Sequence, residues 1–377
     1  MDVAITGATG MIGRALRTAL EADGHRVRPL VRPSTKGNRQ DGVAWDPDGA
    51  TIDVAGLEGC DAVVHLAGVS LADGRWTGDH RRRIVESRVR GTTLIAEAVA
   101  RLDPTPVLVS SSAVGYYGDG GQDVLTEESP SGEGFVADVC RQWEAATAPA
   151  VEAGARVAII RTGPVLDRRD GLLPRMLLPF RLGVGGRLGS GRQWMAWISV
   201  DDQVRAIRHL VETDDLSGPF NLTAPNPVTN REFTVTLAKV LRRPALMVVP
   251  SFALKAAFGA TKAQETVLIS QRVVPTRLET SGFEFAHPDL EQALRAVLDR
   301  EQSARALPGP GERLVSDPST PACASRRRPS VLPSRPRSAS PGSCTRWSSS
   351  RPPPPTVRAP RAPADGRGGR RRGRSRR

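Results

Sequence analysis

Thr6-Gly7-Ala8-Thr9-Gly10-Met11-Ile12-Gly13 has the glycine spacing that lets a chain leave a strand, pass close to a pyrophosphate and enter a helix. Gly7 permits the tight turn, Gly10 lets the backbone approach a phosphate, and Gly13 allows close packing of helix on sheet. Thr9, Met11 and Ile12 complete the loop. The free N–H groups of a helix start, with the positive end of its dipole, then favour an anion. Glycine-rich turns that bind nothing share this spacing, so context decides. Here a compact apolar strand at residues 3–6 precedes the loop, and an amphipathic helical period over 13–22 follows it.

A second constellation follows a strand over 106–110. Ser110-Ser111-Ser112 precedes Tyr116 and Tyr117, the only two tyrosines of the chain. A serine at such a position can hydrogen-bond the oxygen of a substrate hydroxyl or carbonyl as donor, and a tyrosine nearby can exchange a proton. Tyr117 can equally pack beneath a substrate loop. Glu127 and Glu128 read as solvated charges. Arg192, Gln193, Trp194 and Trp197 follow a glycine-rich stretch at 183–191 and suggest a rim for a polar ligand, with Trp197 equally suited to core packing. His65 and His80 have no carboxylate or cysteine at ligand spacing, so no metal is expected. Cys60, Cys140, Cys323 and Cys344 show neither metal spacing nor a disulfide framework.

The end of the second strand selects between dinucleotides. NAD sites place an acid there, about 20 residues past the glycines. This chain reads Leu30-Val31-Arg32-Pro33-Ser34-Thr35-Lys36, with two bases and no acid. A guanidinium at Arg32 suits a 2′-phosphate, which points to NADP.

Positioning these groups requires alternating strands and helices. Apolar runs at 3–6, 27–31, 61–66, 106–110 and 155–160 alternate with helical periods at 13–22, 85–101 and 136–148, the pattern of a mostly parallel sheet. Helices follow at 199–212, 229–241 and 288–298, the second opened by a capping Thr229 with Glu232. The expected fold is α/β, a doubly wound Rossmann-type sheet with a smaller C-terminal substrate lobe. Its divisions are 1–225, contributing lobe loops from about 170, then 226–300, then a tail over 301–377.

Net charge is +13, yet 18 of the 53 Lys and Arg and only 4 of the 40 Asp and Glu lie from Glu301 onward. Residues 1–300 keep 35 bases and 36 acids, so nucleic acid is not an expected partner of that part. The tail, rich in Pro, Arg, Ser and Gly, is expected to be disordered. It reads either as a nucleic-acid-binding arm or as an extension without a fold function. No basic n-region with an apolar core opens the chain and no run is long enough to span a bilayer, so a cytoplasmic protein without membrane contact is expected.

With TGATGMIG, His65-Leu66-Ala67-Gly68, the serine run and Tyr117-Gly118, the chain resembles the extended short-chain dehydrogenases/reductases of the nucleotide-sugar epimerase group. Segments at 45–47, 87–89, 112–118, 177–186, 189–202, 222–227 and 282–290 are similar to an atypical, YfcH-like "epimerase family protein" subgroup with a small C-terminal domain of unknown function. The resemblance covers nearly all of 1–299. It implies an NADP-type cofactor touching Arg32, Leu66, Ala67, Gly68, Arg88 and Val165 besides the glycine loop. It also implies a Ser/Thr with Tyr-x-x-x-Lys on the next helix, and only Ser112 answers. Val136 and Cys140, or Phe135 and Val139 in a shifted register, stand where Tyr and Lys belong, an absence shared by the atypical subgroup. Two functions therefore remain open: an NADP-dependent oxidoreductase or epimerase-like enzyme using Ser112 and Tyr117 on a small polar substrate, or a non-catalytic NADP(H)-binding sensor.

Overall fold

The computed structural model describes residues 1–32 and 42–305, with side chains up to residue 298. Eight strands make the main sheet: β1 (Asp2–Thr6), β2 (Arg26–Val31), β3 (Val43–Asp46), β4 (Thr51–Ile52), β5 (Ala62–His65), β6 (Val107–Ala113), β7 (Val157–Thr162) and β8 (Gly218–Leu222). The longer helices are α1 (Met11–Ala22), α2 (Gly78–Val99), α3 (Phe135–Ala145), α4 (Leu172–Arg181), α5 (Val200–Glu212), α6 (Asn230–Leu241) and α7 (Leu290–Arg305).

The strand order is β8-β7-β6-β5-β1-β2-β3-β4, parallel throughout except where β4 turns back on β3. Every residue of β5 is buried, as a strand covered by helices on both faces requires. The order reverses between β1 and β5, whose last residues, Thr6 and His65, lie side by side. The crevice beyond the carboxyl ends at such a reversal is where α/β sheets of this kind take their ligands. Ser110 pairs with His65 and Ser112 with Arg161, so the ends of β5, β6 and β7 continue the same edge.

One face of the sheet carries α1 and α5, whose Leu16, Leu20, Ile207 and Leu210 join Val3, Ile5 and Val64 in one core. The other carries α2, which packs on α3 and contributes Ile95, Ala96 and Val99 to a second core. A third core fills the C-terminal lobe, with Leu173, Phe180, Trp197, Phe233, Leu237 and Leu294. Trp197 is wholly buried and donates its indole N–H to the Asn226 carbonyl at 3.1 Å, so it is core and not rim.

Three differences from expectation bear on the site and the tail. Helix α2 starts at Gly78, ahead of the expected 85, because the Thr77 hydroxyl caps it by accepting the His80 N–H. The stretch 183–191 holds a short strand, Gly186–Leu188, parallel to Met247–Val249. Helix α7 continues to Arg305, past 298 and into the part assigned to the tail. Glu301 and Gln302 are good helix formers, which overall composition hides. Residues 33–41, with Ser34 to Lys36, and 306–377, with most of the expected disordered segment, lie outside the described residues. Cys60 and Cys140 are free and buried. No described helix is long and apolar enough to cross a membrane.

Candidate nucleotide-binding and catalytic site

Gly7 leaves β1 with φ +66°, where only glycine is free of strain. A Cβ on it would lie 3.1 Å from the Ala67 nitrogen, so the turn after β5 seats directly on the glycine loop. A Cβ on Gly13 would lie 2.2 Å from the Gly7 carbonyl oxygen, so the helix start needs that bare backbone. Gly10 differs: its Cβ would meet only the Gly7 oxygen, at 3.3 Å, and the residue is exposed. The loop is closed by the Gly10 N–H donating to the Gly7 carbonyl at 2.9 Å. Helix α1 has no side chain capping its start and no acid in its first turn. The cradle therefore offers an anion backbone N–H groups without competition.

Thr6 organises the neighbouring turn. Its hydroxyl accepts the N–H groups of Leu66 and Ala67 at 3.0 and 3.2 Å and lies 2.8 Å from His65 Nδ1. With two donors arriving, the Thr6 hydrogen goes to Nδ1, which leaves the imidazole proton on Nε2. Burial, with the Arg88 charge adding to it, pushes His65 down to about 4, so the ring is neutral. Its edge rests on Trp45, with ring centroids 5.9 Å apart.

Arg88 lies inside helix α2, 6% exposed, with its guanidinium over the Trp143 ring at 4.7 Å. It donates to the carbonyls of Val69 and Ile84, while Nε is buried without a partner. Burial lowers it to about 10, and the hydrogen bonds it makes among the described residues go to carbonyls, none to a carboxylate. A Cβ on Gly68 would sit 3.4 Å from its Cζ, so this uncompensated cation lies directly under the exposed Gly68. Val165 is buried in a short strand paired with Ile198–Ser199, and its carbonyl would face a Cβ on Gly171. Met11 Sδ would lie 3.5 Å from that same Cβ, and Arg14 pairs with Asp170, so this segment lies along the helix start. Arg32, just past β2, is exposed.

Ser112 and Tyr117 meet through residues that the sequence did not single out. The Ser112 hydroxyl donates to Glu144 Oε1 at 2.6 Å, and both Glu144 oxygens accept from Arg161 at 2.9 Å. Arg161 also donates to the Tyr117 oxygen at 3.0 Å, and Tyr117 donates to Asn221 Oδ1 at 2.7 Å. Burial works against the Arg161 charge, but its bonds to Glu144 and Tyr117 outweigh that and raise its pKa. Burial pushes the Tyr117 phenol up to about 12 despite Arg161, so it is protonated at neutral pH. In this geometry the Ser112 hydroxyl already has an acceptor. Its proton is committed to Glu144, so the oxygen offers lone pairs, as an acceptor.

Glu127 is buried, not solvated: Oε1 accepts the N–H groups of Asn221 and Arg277, and burial raises its pKa. Gln193 is buried and donates to the Leu188 carbonyl, whereas Trp194 lies under the Arg272 guanidinium at 4.4 Å. A charged residue in an otherwise apolar strand, Arg161 in VAIIRT, was the available signal for the buried network.

Residues 3–222 match the NAD dependent epimerase/dehydratase family. The chain belongs to that family. Residues 249–297 match a domain of unknown function, DUF1731. An epimerase family protein of Mycobacterium bovis is 44% identical over 292 residues, covering 78% of this chain and 96% of the relative. A chloroplastic epimerase family protein of Arabidopsis thaliana is 42% identical, with 79% and 87% covered. The crystal structure of human epimerase family protein SDR39U1 with NADPH superimposes with a TM-score of 0.73 at 34% identity, covering 79% of this chain and 99% of that one.

Within this epimerase/dehydratase frame, helix α3 carries Val136 and Cys140 towards the end of β6. A Cβ on Gly115 would lie 2.4 Å from a Val136 methyl and 3.9 Å from the Cys140 sulfur, and that thiol contacts the Ala113 carbonyl at 3.7 Å. Burial pushes the Cys140 thiol up to about 11, so it stays protonated. Neither side chain offers the acid–base chemistry of a Tyr and Lys pair.

Proposed function

We propose that the chain is an NADP(H)-binding oxidoreductase or epimerase-like enzyme that acts on a hydroxyl-bearing small polar substrate. The observation that carries this is the uncapped glycine cradle at the sheet reversal, beside a second strand that ends in Arg32 with no acid. Gly7, Thr9, Gly10, Met11, Ile12 and Gly13 hold the pyrophosphate in this reading, and Leu66, Ala67 and Gly68 line the adenosine side. Arg88, with its orphaned Nε, fits an anionic or ribose partner at the open face of that turn. Val165 closes the crevice behind Met11, and Arg32 takes the 2′-phosphate.

The bound nicotinamide supplies hydride acceptor or donor chemistry. The protein holds the reacting oxygen. Ser112, polarised by Glu144 and Arg161, accepts a hydrogen bond from a substrate hydroxyl and so orients it. Tyr117 and Asn221 keep Arg161 in place. The catalytic assignment thus rests on Ser112, with Tyr117 supporting it from beneath.

Parallel fluorescence titrations with NADPH and NADH test the reading. NADPH is expected to bind more tightly, Arg32→Ala to weaken NADPH by about tenfold or more while sparing NADH, and Ser112→Ala to bind both as the parent does. Absence of NADPH binding ends the proposal. If Ser112→Ala leaves turnover of a hydroxyl substrate unchanged, the enzyme reading yields to the non-catalytic sensor.

A further inference from the structure

We propose that residues 262–265, in the DUF1731 region, are positioning residues for the cofactor cleft. They tie the loop that follows the 65–68 turn to the start of α3, and so hold closed the wall around bound NADP(H). This deepens the reading above and rests on it.

Lys262 is 6% exposed, and among the described residues its ammonium makes no hydrogen bond to a carboxylate. It donates instead to three successive carbonyls of one loop, those of Ala72, Asp73 and Gly74, at 2.7, 3.4 and 2.7 Å. A cation on three carbonyls holds a backbone path, not a side chain, so the loop's course is what this lysine specifies. Arg75 strengthens the link by donating to the Ala256 carbonyl at 3.2 Å, in the same C-terminal region.

Three residues on, the Glu265 carboxylate accepts the Val136 N–H at 3.0 Å. Helix α3 begins at Phe135, and the preceding Gly134 offers no side-chain cap, so an N-terminal donor is satisfied from 129 residues away. Gly134, at φ +107°, allows this, since a Cβ there would lie 3.1 Å from the Glu265 carboxyl carbon. The span Ala263–Val267 is a π-helical turn, a costly local form that recurs where function repays it. The two tethered walls also meet each other. Trp76, at the end of the loop, packs edge-on to Phe135, the first residue of α3, at 5.2 Å, and the Arg81 guanidinium covers both rings.

The loop continues the turn that seats on the glycine cradle, and α3 faces the end of the strand carrying Ser112. One short segment thereby fixes both sides of the crevice. Its carboxylate and ammonium each act on backbone, so either can be removed separately.

Hydrogen exchange on the full chain, with and without NADPH, tests this. Lys262→Met is expected to speed exchange across residues 70–76 by about tenfold or more, with β1 and β5 unchanged, and to release NADPH about tenfold faster. Glu265→Ala is expected to speed exchange at the start of α3. Unchanged exchange over 70–76 in Lys262→Met, or faster exchange there with unchanged NADPH release, overturns the proposal. Should Lys262→Met fail to fold, the parent chain decides. NADPH-induced protection reaching residues 70–76 and 135–138 supports the tie, and protection confined to the glycine cradle and the 66–68 turn overturns it. A parent chain that binds no NADPH ends the cofactor reading, whereas the exchange rates of the free protein test the tie by itself.

Discussion

At the scale of the residue, two hydrogens decide what the site can do, and both are held by neighbours. The Ser112 proton goes to Glu144 and the Thr6 proton to His65. The second makes a pH prediction. An unfolded histidine titrates near 6.5, while folded His65 resists protonation down to about 4. Its folded pKa is the lower one, so its contribution to stability is complete above about pH 6.5 and is lost as pH falls towards about 4, amounting to roughly 3 kcal/mol. Protonation also removes the acceptor for Thr6, which loosens the 65–68 turn. Urea midpoints measured between pH 7 and 4.5 should therefore fall more steeply for the parent than for His65→Asn, whose amide oxygen still accepts from Thr6. Equal slopes would show that His65 does not carry the acid limb.

At the scale of the element, the glycine loop separates folding from binding. A methyl at Gly13 collides with backbone of its own loop, whereas one at Gly10 meets only the Gly7 oxygen, on the exposed side proposed to receive the phosphate. Gly13→Ala is expected to cost about 1–3 kcal/mol or more in denaturant unfolding. Gly10→Ala should keep its unfolding midpoint and lose NADPH affinity by tenfold or more. A Gly10→Ala protein that binds NADPH like the parent would remove the loop from the cofactor site. These glycines were legible in the sequence because their requirement is local: strand, turn and helix start lie within a dozen residues. The alternation of apolar runs gave the sheet for the same reason. Arg161 in its strand hinted at a buried network, but its partners Ser112, Glu144 and Tyr117, like the Lys262 and Glu265 ties, were not legible, since the joined residues lie up to 190 positions apart. The role of Glu127 was missed because only its tertiary neighbours distinguish a buried carboxylate from a solvated one. Helix α7 was cut short because composition changes gradually there while helix propensity persists.

At the scale of the whole molecule, two differently charged parts share one chain. Residues 1–300 are nearly neutral, while all of the excess positive charge lies beyond them. Ending the chain after Arg305 is expected to leave NADPH affinity unchanged and to abolish salt-sensitive retention on a polyanionic resin. A fall in NADPH affinity on that truncation would give the basic extension a part in the site.

The placement of Lys262 and Glu265 also sets the order in which a ribosome completes the crevice. The glycine cradle and the turn above it are synthesised first, and the lysine that fixes the adjoining loop emerges 190 residues after Ala72. A nascent chain, or a fragment cut short of that lysine, therefore carries the proposed phosphate-binding half of the site without the tie to the loop beside it. A fragment ending before Lys262 would thus lack the tie to residues 72–74 while keeping every residue proposed to contact the dinucleotide.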